Sequence, residues 1–145
     1  MGIGLTMQTL GGWQSQYARM VRWHDRVIAV ANGSRLPDEL DFLVAFFEAA
    51  FQMRDWLGRS NAVAQADLER LFSVHVEVML CRDIANGFKH YSLTKPSIDR
   101  EFAVVNQYVP KNWPSRHAHQ VGLVALAQKV LVVWQSFLAN RGLIQ

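Results

Sequence analysis

The sequence has little cysteine, little proline and little charge, and each shortage excludes a class of protein. With Cys81 as its single cysteine, the chain cannot form an internal disulfide, so it is not a disulfide-rich secreted domain. Residues 1–7 contain no lysine or arginine, so we expect no secretory signal and a cytoplasmic protein. Half of the 145 residues are hydrophobic and 19% are charged, which excludes a disordered chain. The composition predicts one compact domain spanning residues 1–145.

The longest apolar stretch covers residues 121–138, and Lys129 is its only charged residue. A lysine in the middle of a membrane-spanning helix costs roughly 2.5–3.5 kcal/mol, and three further polar side chains interrupt the stretch. We therefore expect a helix buried on several sides in a bundle, and no membrane association. Because a four-helix bundle covers only part of such a surface, we also expect a homodimer or larger homo-oligomer.

Hydrophobic residues recur with the period of an α-helix over four stretches. These are residues 13–31, about 37–58, a third from between 62 and 67 to about 90, and 117–140. Residues 91–115 differ, because they hold three of the four prolines and no helical period. The pattern predicts an all-α fold, a four-helix up-and-down bundle, with an irregular or short β excursion before the last helix.

One face of the predicted third helix changes from apolar to polar along its length. Its first half carries Leu68, Phe72, His75 and Met79. Its second half carries Arg82, Asn86 and His90, with Asp83 and Lys89 beside them. Burying polar groups is costly unless they are paired, so the polar half needs a reason. Two interpretations stay open: the helix end reaches solvent beyond the core, or it forms a functional site.

In the functional interpretation, His90 is a general acid or base near neutral pH. Asn86 lies one turn earlier and orients His90 or a ligand. Arg82 and Lys89 bind phosphate, the arginine through its planar fork and the lysine as a point charge. This chemistry uses no metal and no cofactor, and we expect neither.

The sequence around this face resembles small helical proteins of the HEPN class. The resemblance rests on residues 82–90, RDIANGFKH, with RDWL at 54–57 and WQSFL at 134–138. It implies a helical bundle, often dimeric, of toxin–antitoxin and phage-defence systems, with a cognate antitoxin or defence protein as a partner. Many members are metal-independent ribonucleases with a motif of an arginine, often a polar residue next, and a histidine four to six residues beyond the arginine.

Carried over residue by residue, the motif places its polar residue at Asn86 and its histidine at His90. The position before Asn86 is Ala85, so the nearest arginine is Arg82, with seven residues between it and His90. An ideal helix places Arg82 and His90 about 12 Å apart along its axis. The candidate catalytic set is therefore Arg82, Asn86, Lys89 and His90.

Positive charge gathers between the third and fourth predicted helices. Five lysines and arginines against two acidic residues lie between Asn86 and His119, a surplus of three that equals the net charge of the chain. Aromatic residues are interleaved with them, as in surfaces that bind phosphates and stack bases. The candidate binding residues are Lys95, Arg116, His117 and His119. The competing interpretation is a solvated loop whose aromatic side chains pack on the bundle.

Two functions follow from these observations. The first is an RNA- or nucleotide-directed HEPN-like protein of a toxin or defence system, with metal-independent ribonuclease activity. The alternative is a catalytically silent bundle that serves as an oligomeric assembly subunit or binding module. Three packing expectations accompany them: His24 and His75 form a hydrogen-bonded core pair, Cys81 is an inert core residue, and Arg54 pairs with Asp55 at the opposite end of the bundle from His90.

Overall fold

The computed structural model describes residues 9–31, 36–90 and 116–145, with side chains described over 9–31, 40–87 and 122–145. These ranges contain five helices and no strand. The helices are α1 (Gly12–Ala31), α2 (Leu36–Arg59), α3 (Gln65–Val74), α4 (Val76–His90) and α5 (Arg116–Asn140). The all-α prediction is confirmed for this part of the chain. The predicted excursion at 91–115 lies outside it.

α2 and α5 end where the sequence supplies residues that accept a positive φ. After α5, Gly142 has φ 71°, and the Leu143 amide donates to the Leu138 carbonyl at 3.0 Å. After α2, Asn61 has φ 58°, and the Ala62 amide donates to the Leu57 carbonyl at 3.2 Å. Both are left-handed caps that satisfy carbonyls at the helix end. The predicted end of the last helix at residue 140 is thus confirmed.

α1 and α2 pack against each other in opposite directions. Trp23 on α1 meets Phe42 on α2, with ring centroids 5.8 Å apart, whereas Gln16 near the start of α1 reaches Ala49 further along α2. Gln16 is fully buried, and its Nε2 donates to the Ala49 carbonyl at 3.0 Å. The helical hairpin is therefore held by apolar contacts and by one buried amide.

The third predicted helix is broken, and the prediction of a single helix there is wrong. His75 separates α3 from α4 with an extended backbone, φ −95° and ψ 110°. Its amide still donates to the Leu71 carbonyl at 3.1 Å, and its carbonyl accepts the Met79 amide at 3.2 Å. Around it the sequence is SVHVEV, in which three valines alternate with polar residues. Branching at Cβ restricts χ1 in a helix and favours extended backbone, which explains the position of the break.

The break rotates the buried face of α4. Val78, Cys81 and Ala85 are buried and spaced as one helix face, and Leu80 and Asp83 are buried on the other side of α4. Met79, Arg82 and Asn86 are only half-buried. The sequence pattern places the buried face of α4 one residue further along, at Met79, Arg82 and Asn86. It does so because it extends the face of α3 through His75 as one unbroken helix.

The break also changes the course of α4 along α2. The α3 contacts run antiparallel to α2, with Leu68 beside Gly58 and Phe72 beside Phe51. The α4 contacts run parallel to α2 instead, because residue numbers rise together on the two helices. The Cys81 thiol lies 3.4 Å from the Phe47 carbonyl oxygen, and Asn86 shares a cavity with Asp55. The expectation that Asp55 and the end of this helix lie at opposite ends of the bundle is therefore wrong.

α5 closes the core over the other helices. Its fully or nearly fully buried residues are Leu126, Ala127, Val130, Leu131, Trp134 and Leu138. The Trp134 ring meets Phe72 of α3 edge to face, with centroids 5.9 Å apart. Arg141, just beyond α5, forms an ion pair of 3.3 Å with Asp67 of α3. The core thus lies between the α1–α2 hairpin on one side and α3, α4 and α5 on the other.

Candidate functional site

The two predicted catalytic residues with described side chains have different surroundings. The Arg82 guanidinium carbon lies 5.7 Å from the centre of the Phe72 ring, which is a cation–π contact across the His75 break. Asn86, one turn further along α4, lines a cavity between α2 and α4. Arg82 is not among the residues that line this cavity.

The α2–α4 cavity has a volume of about 280 Å³. It is lined by Glu48, Phe51, Gln52 and Asp55 of α2 and by Ala85 and Asn86 of α4. Glu48, Gln52 and Asp55 occupy positions i, i+4 and i+7, so they share one face of α2. Glu48 and Gln52 are not among the predicted site residues. Their helical spacing with Asp55 is the signal by which the sequence could have indicated them.

The electrostatics of this cavity do not favour phosphate. Glu48 and Asp55 supply two carboxylates, and Arg54 Nε lies 3.8 Å from Asp55 Oδ1. The Arg54 guanidinium also lies over the rings of Phe51 and Phe72. The predicted Arg54–Asp55 ion pair is thus confirmed, and Arg54 joins α2 to α3. Carboxylates and amides together suit a polar or cationic group.

The other predicted site residues have no described side chain. Lys89 and His90 close α4, and Arg116, His117 and His119 open α5, so their helical backbone is as predicted. Lys95 lies outside the described residues. Their roles in catalysis and in nucleotide binding stay predictions. Among the residues that the structure describes, no three histidine, cysteine, aspartate or glutamate side chains lie close enough together to hold a metal ion.

Two groups in the described part of the chain have displaced pKa values, and burial is the main cause in both. Burial raises the pKa of the Cys81 thiol, which lies in the apolar cluster beside Phe47, so this cysteine is an unreactive core residue as predicted. Burial also lowers the pKa of His24, and the nearby Asp25 carboxylate opposes that shift. The predicted pair of His24 and His75 is wrong, because His75 is exposed and His24 Nε2 is buried without a hydrogen-bond partner.

His24 makes the stability of the fold depend on pH. Its ring packs edge-on against Phe46, with centroids 5.6 Å apart, so a proton added there enters an apolar contact. Since its folded pKa lies below the ordinary value of 6.5, its contribution is present above pH 6.5 and is lost as the pH falls through the folded pKa. We expect the free energy of unfolding to fall from about pH 7.5 to about pH 5.5, and to fall less in His24→Leu.

Urea denaturation at several pH values measures this slope, and His75→Gln is the matched control because the His75 side chain is exposed. If the wild type and His24→Leu show the same pH dependence, His24 is not the group responsible.

α5 combines a buried side with an exposed apolar side. Its segment Gly122–Asn140 has a mean hydropathy of 1.5, enough by length and composition to cross a membrane, and 39% of it is buried inside the fold. The core helix of a soluble protein passes the same test, so this finding carries little weight. The exposed residues of the segment are Ala125, Gln128, Lys129, Val132, Ser136, Ala139 and Asn140. Val132 stands out among them, because 58% of its surface is exposed.

Comparison with models of known protein families, with curated proteins and with solved structures found no match to this chain.

Proposed function

We propose that this chain is a helical association module in which α5 pairs with α5 of a second copy. The observation that supports the proposal is the exposed line of Ala125, Val132 and Ala139 on α5, a helix whose opposite side is packed into the core. The three residues are seven positions apart, so they lie along one side of α5. We call this line the α5 face.

The α5 face is symmetric about Val132. In an antiparallel pair of helices related by a two-fold axis, Val132 meets its own copy and Ala125 meets Ala139. The same register places Lys129 opposite Gln135 and Gln128 opposite Ser136. Apolar residues thus meet apolar residues, and polar residues meet polar ones. Small alanines on both sides of the valine allow the two backbones to approach closely.

A second copy suits this face better than lipid does. Lys129 lies exposed in the middle of the segment, where a charge costs roughly 2.5–3.5 kcal/mol in a membrane. The buried side of α5 carries Trp134 and Leu138, which are fully enclosed by the bundle. Surrounding α5 with lipid would require it to leave that core, whereas pairing with a second copy leaves the core intact.

Replacing Val132 with glutamate tests the association. Two glutamates would then face each other across the axis, and like charges in an interface cost several kcal/mol, or about two orders of magnitude in dissociation constant. We expect a dimeric mass for the wild type and a monomeric mass for Val132→Glu by light scattering after gel filtration, without detergent. Val74→Glu is the matched control, because Val74 is 66% exposed on α3 and lies off the α5 face.

Cysteine cross-linking tests the register. We expect Val132→Cys to form a disulfide with its own copy, and Ala125→Cys to do so only with Ala139→Cys. Cys81 is buried and does not compete. A wild type that is monomeric at tens of micromolar, or soluble only in detergent, would contradict the proposal.

The RNA- or nucleotide-directed function stays a prediction. It depends on Arg82, Asn86, Lys89, His90 and the basic residues that follow, and of these only Arg82 and Asn86 have described side chains. The cavity beside Asn86 presents carboxylates, so its described part does not support phosphate binding there. A cognate antitoxin or defence protein likewise stays a prediction, as does the cytoplasmic location.

A further inference from the structure

A second surface of the molecule combines a basic rim with an apolar floor. It is a groove of about 170 Å³ between α3 and the C-terminal end of α5. Its lining residues are Asp67, Arg70, Leu71, Val74, His75, Phe137 and Arg141. We call it the α3–α5 groove. It lies off the α5 face, so what it binds is independent of the self-association proposed above.

Two arginines in this groove share a single carboxylate. Arg70 Nη1 lies 3.6 Å from Asp67 Oδ1, and Arg141 Nη1 lies 3.3 Å from Asp67 Oδ2. Each oxygen of Asp67 therefore faces a different guanidinium. One negative charge between two positive ones leaves the rim with a surplus of one positive charge. Because each guanidinium has five N–H donors in a planar fork, most donors remain for a further anion.

The floor of the groove is apolar and open. Leu71 is buried beneath it, and Val74 at its edge is 66% exposed, the most exposed large hydrophobic residue in the described part of the chain. Phe137 forms the opposite wall. An apolar side chain of a binding partner would cover the exposed valine. A negative charge on the adjacent residue of that partner would pair with the two arginines.

The contacts of the Phe137 ring favour a peptide carboxylate over a nucleotide phosphate as the anion bound in this groove. The Arg141 guanidinium lies 4.6 Å from the centre of this ring, and Trp134 meets the same ring at 81°. Binding of single-stranded nucleic acid depends on an open aromatic face on which a base can stack. The Arg141 contact covers one face of Phe137, so the groove matches a carboxylate next to an aliphatic side chain better than a phosphate next to a base.

We propose that the α3–α5 groove binds an acidic peptide segment of a partner protein. A carboxylate of the segment pairs with Arg70 and Arg141, and an adjacent aliphatic side chain covers Val74. The shared Asp67 holds the two guanidinium groups in place before the peptide arrives.

Fluorescence anisotropy with a short labelled peptide of alternating glutamate and leucine tests this proposal. We expect binding to the wild type that weakens with added salt, as charge pairing near a surface does. The same peptide with glutamine in place of glutamate is expected to bind at least about tenfold more weakly, because charge-assisted hydrogen bonds are lost. A single-stranded RNA oligonucleotide is the third probe.

Three variants separate the groove from general surface charge. We expect the double variant Arg70→Gln with Arg141→Gln, and separately Val74→Glu, to weaken peptide binding about tenfold or more. Val74→Glu keeps both arginines and changes an exposed residue, so it tests the groove even if loss of Arg141 affects folding. Arg22→Gln, an exposed arginine on α1, is the control and is expected to bind as the wild type does.

The outcomes that would overturn the proposal are specific. They are no peptide binding to the wild type, equal binding of the glutamate and glutamine peptides, or an equal loss in Arg22→Gln. Tighter binding of RNA with the same dependence on Arg70 and Arg141 would assign the groove to nucleic acid instead. Light scattering on the same samples reports the oligomeric state separately, so failure of one proposal is distinguishable from failure of the other.

Discussion

Trp134→Ala is expected to lower the free energy of unfolding by about 3–5 kcal/mol, the usual cost of removing a large buried aromatic side chain. Trp134 is fully buried in α5 and meets both Phe72 and Phe137 edge to face, each at a centroid distance of 5.9 Å. Its loss would leave a cavity where α5 meets α3. Urea denaturation followed by far-ultraviolet circular dichroism measures the change.

Trp134→Phe is the informative companion. The Trp134 indole N–H is buried without an acceptor, and an unsatisfied buried donor costs about 1–3 kcal/mol. Phenylalanine removes that unsatisfied donor, which stabilises the fold. It also leaves a cavity, smaller than the one left by alanine, which destabilises the fold. We expect Trp134→Phe to change stability by less than about half of the alanine effect. If Trp134→Phe loses more than half of what Trp134→Ala loses, relief of the unsatisfied N–H does not offset the cavity that phenylalanine leaves.

Gln16→Ala is expected to cost about 2–3 kcal/mol, which is large for a polar residue. Gln16 is fully buried between α1 and α2. Its Nε2 donates to the Ala49 carbonyl at 3.0 Å and lies 3.5 Å from Gln52 Oε1, and its own Oε1 accepts Arg19 Nη1. The alanine variant removes these bonds and leaves a cavity as well.

Gln16→Met separates the two contributions, because methionine keeps most of the shape and none of the hydrogen bonds. We expect Gln16→Met to be destabilised by about 1–2 kcal/mol, with the remaining difference to alanine due to the cavity. Thermal and urea unfolding of the three proteins under one buffer gives both values. A methionine variant as stable as the wild type would show that the amide bonds contribute nothing net.

Residue type misled the sequence analysis at Gln16. The buried residues of α1 are Trp13, Gln16, Met20 and Val27, which have ideal spacing for one face of a helix. The hydrophobic pattern predicts a stripe that includes Tyr17 and His24 beside Trp13, Met20 and Val27 and leaves out Gln16. Tyr17 and His24 are only half-buried. A polar residue is assigned to the surface unless its partners are known. Those partners, an α2 carbonyl and an arginine one turn away, become visible only after the helices have packed.

The sequence predicts where the helices begin and end better than how they run relative to one another. Local residues determine a cap, so the limits of α1, α2 and α5 agree with the sequence pattern to within a residue or two. The break at His75 is also local in origin, but a helix-breaking tendency of three valines is weak and was outweighed by continuous hydrophobic periodicity. Without the break at His75, the predicted helix places Asn86 near the wrong end of α2. The acidic surroundings of Asn86 could therefore not be anticipated.

The hydrogen bonds between helices close chain loops of very different lengths. Gln16 and Ala49 are 33 residues apart, whereas Gln135 Nε2 reaches the Tyr17 hydroxyl, at 3.5 Å, across 118 residues. Closing the longer loop costs about 1 kcal/mol more in chain entropy, so the α1–α2 hairpin forms early and α5 docks late. During synthesis α5 also leaves the ribosome after the other four described helices. Until it arrives, the nascent chain carries an open core, and chaperones that cover apolar surface are expected to decide its yield in a cell.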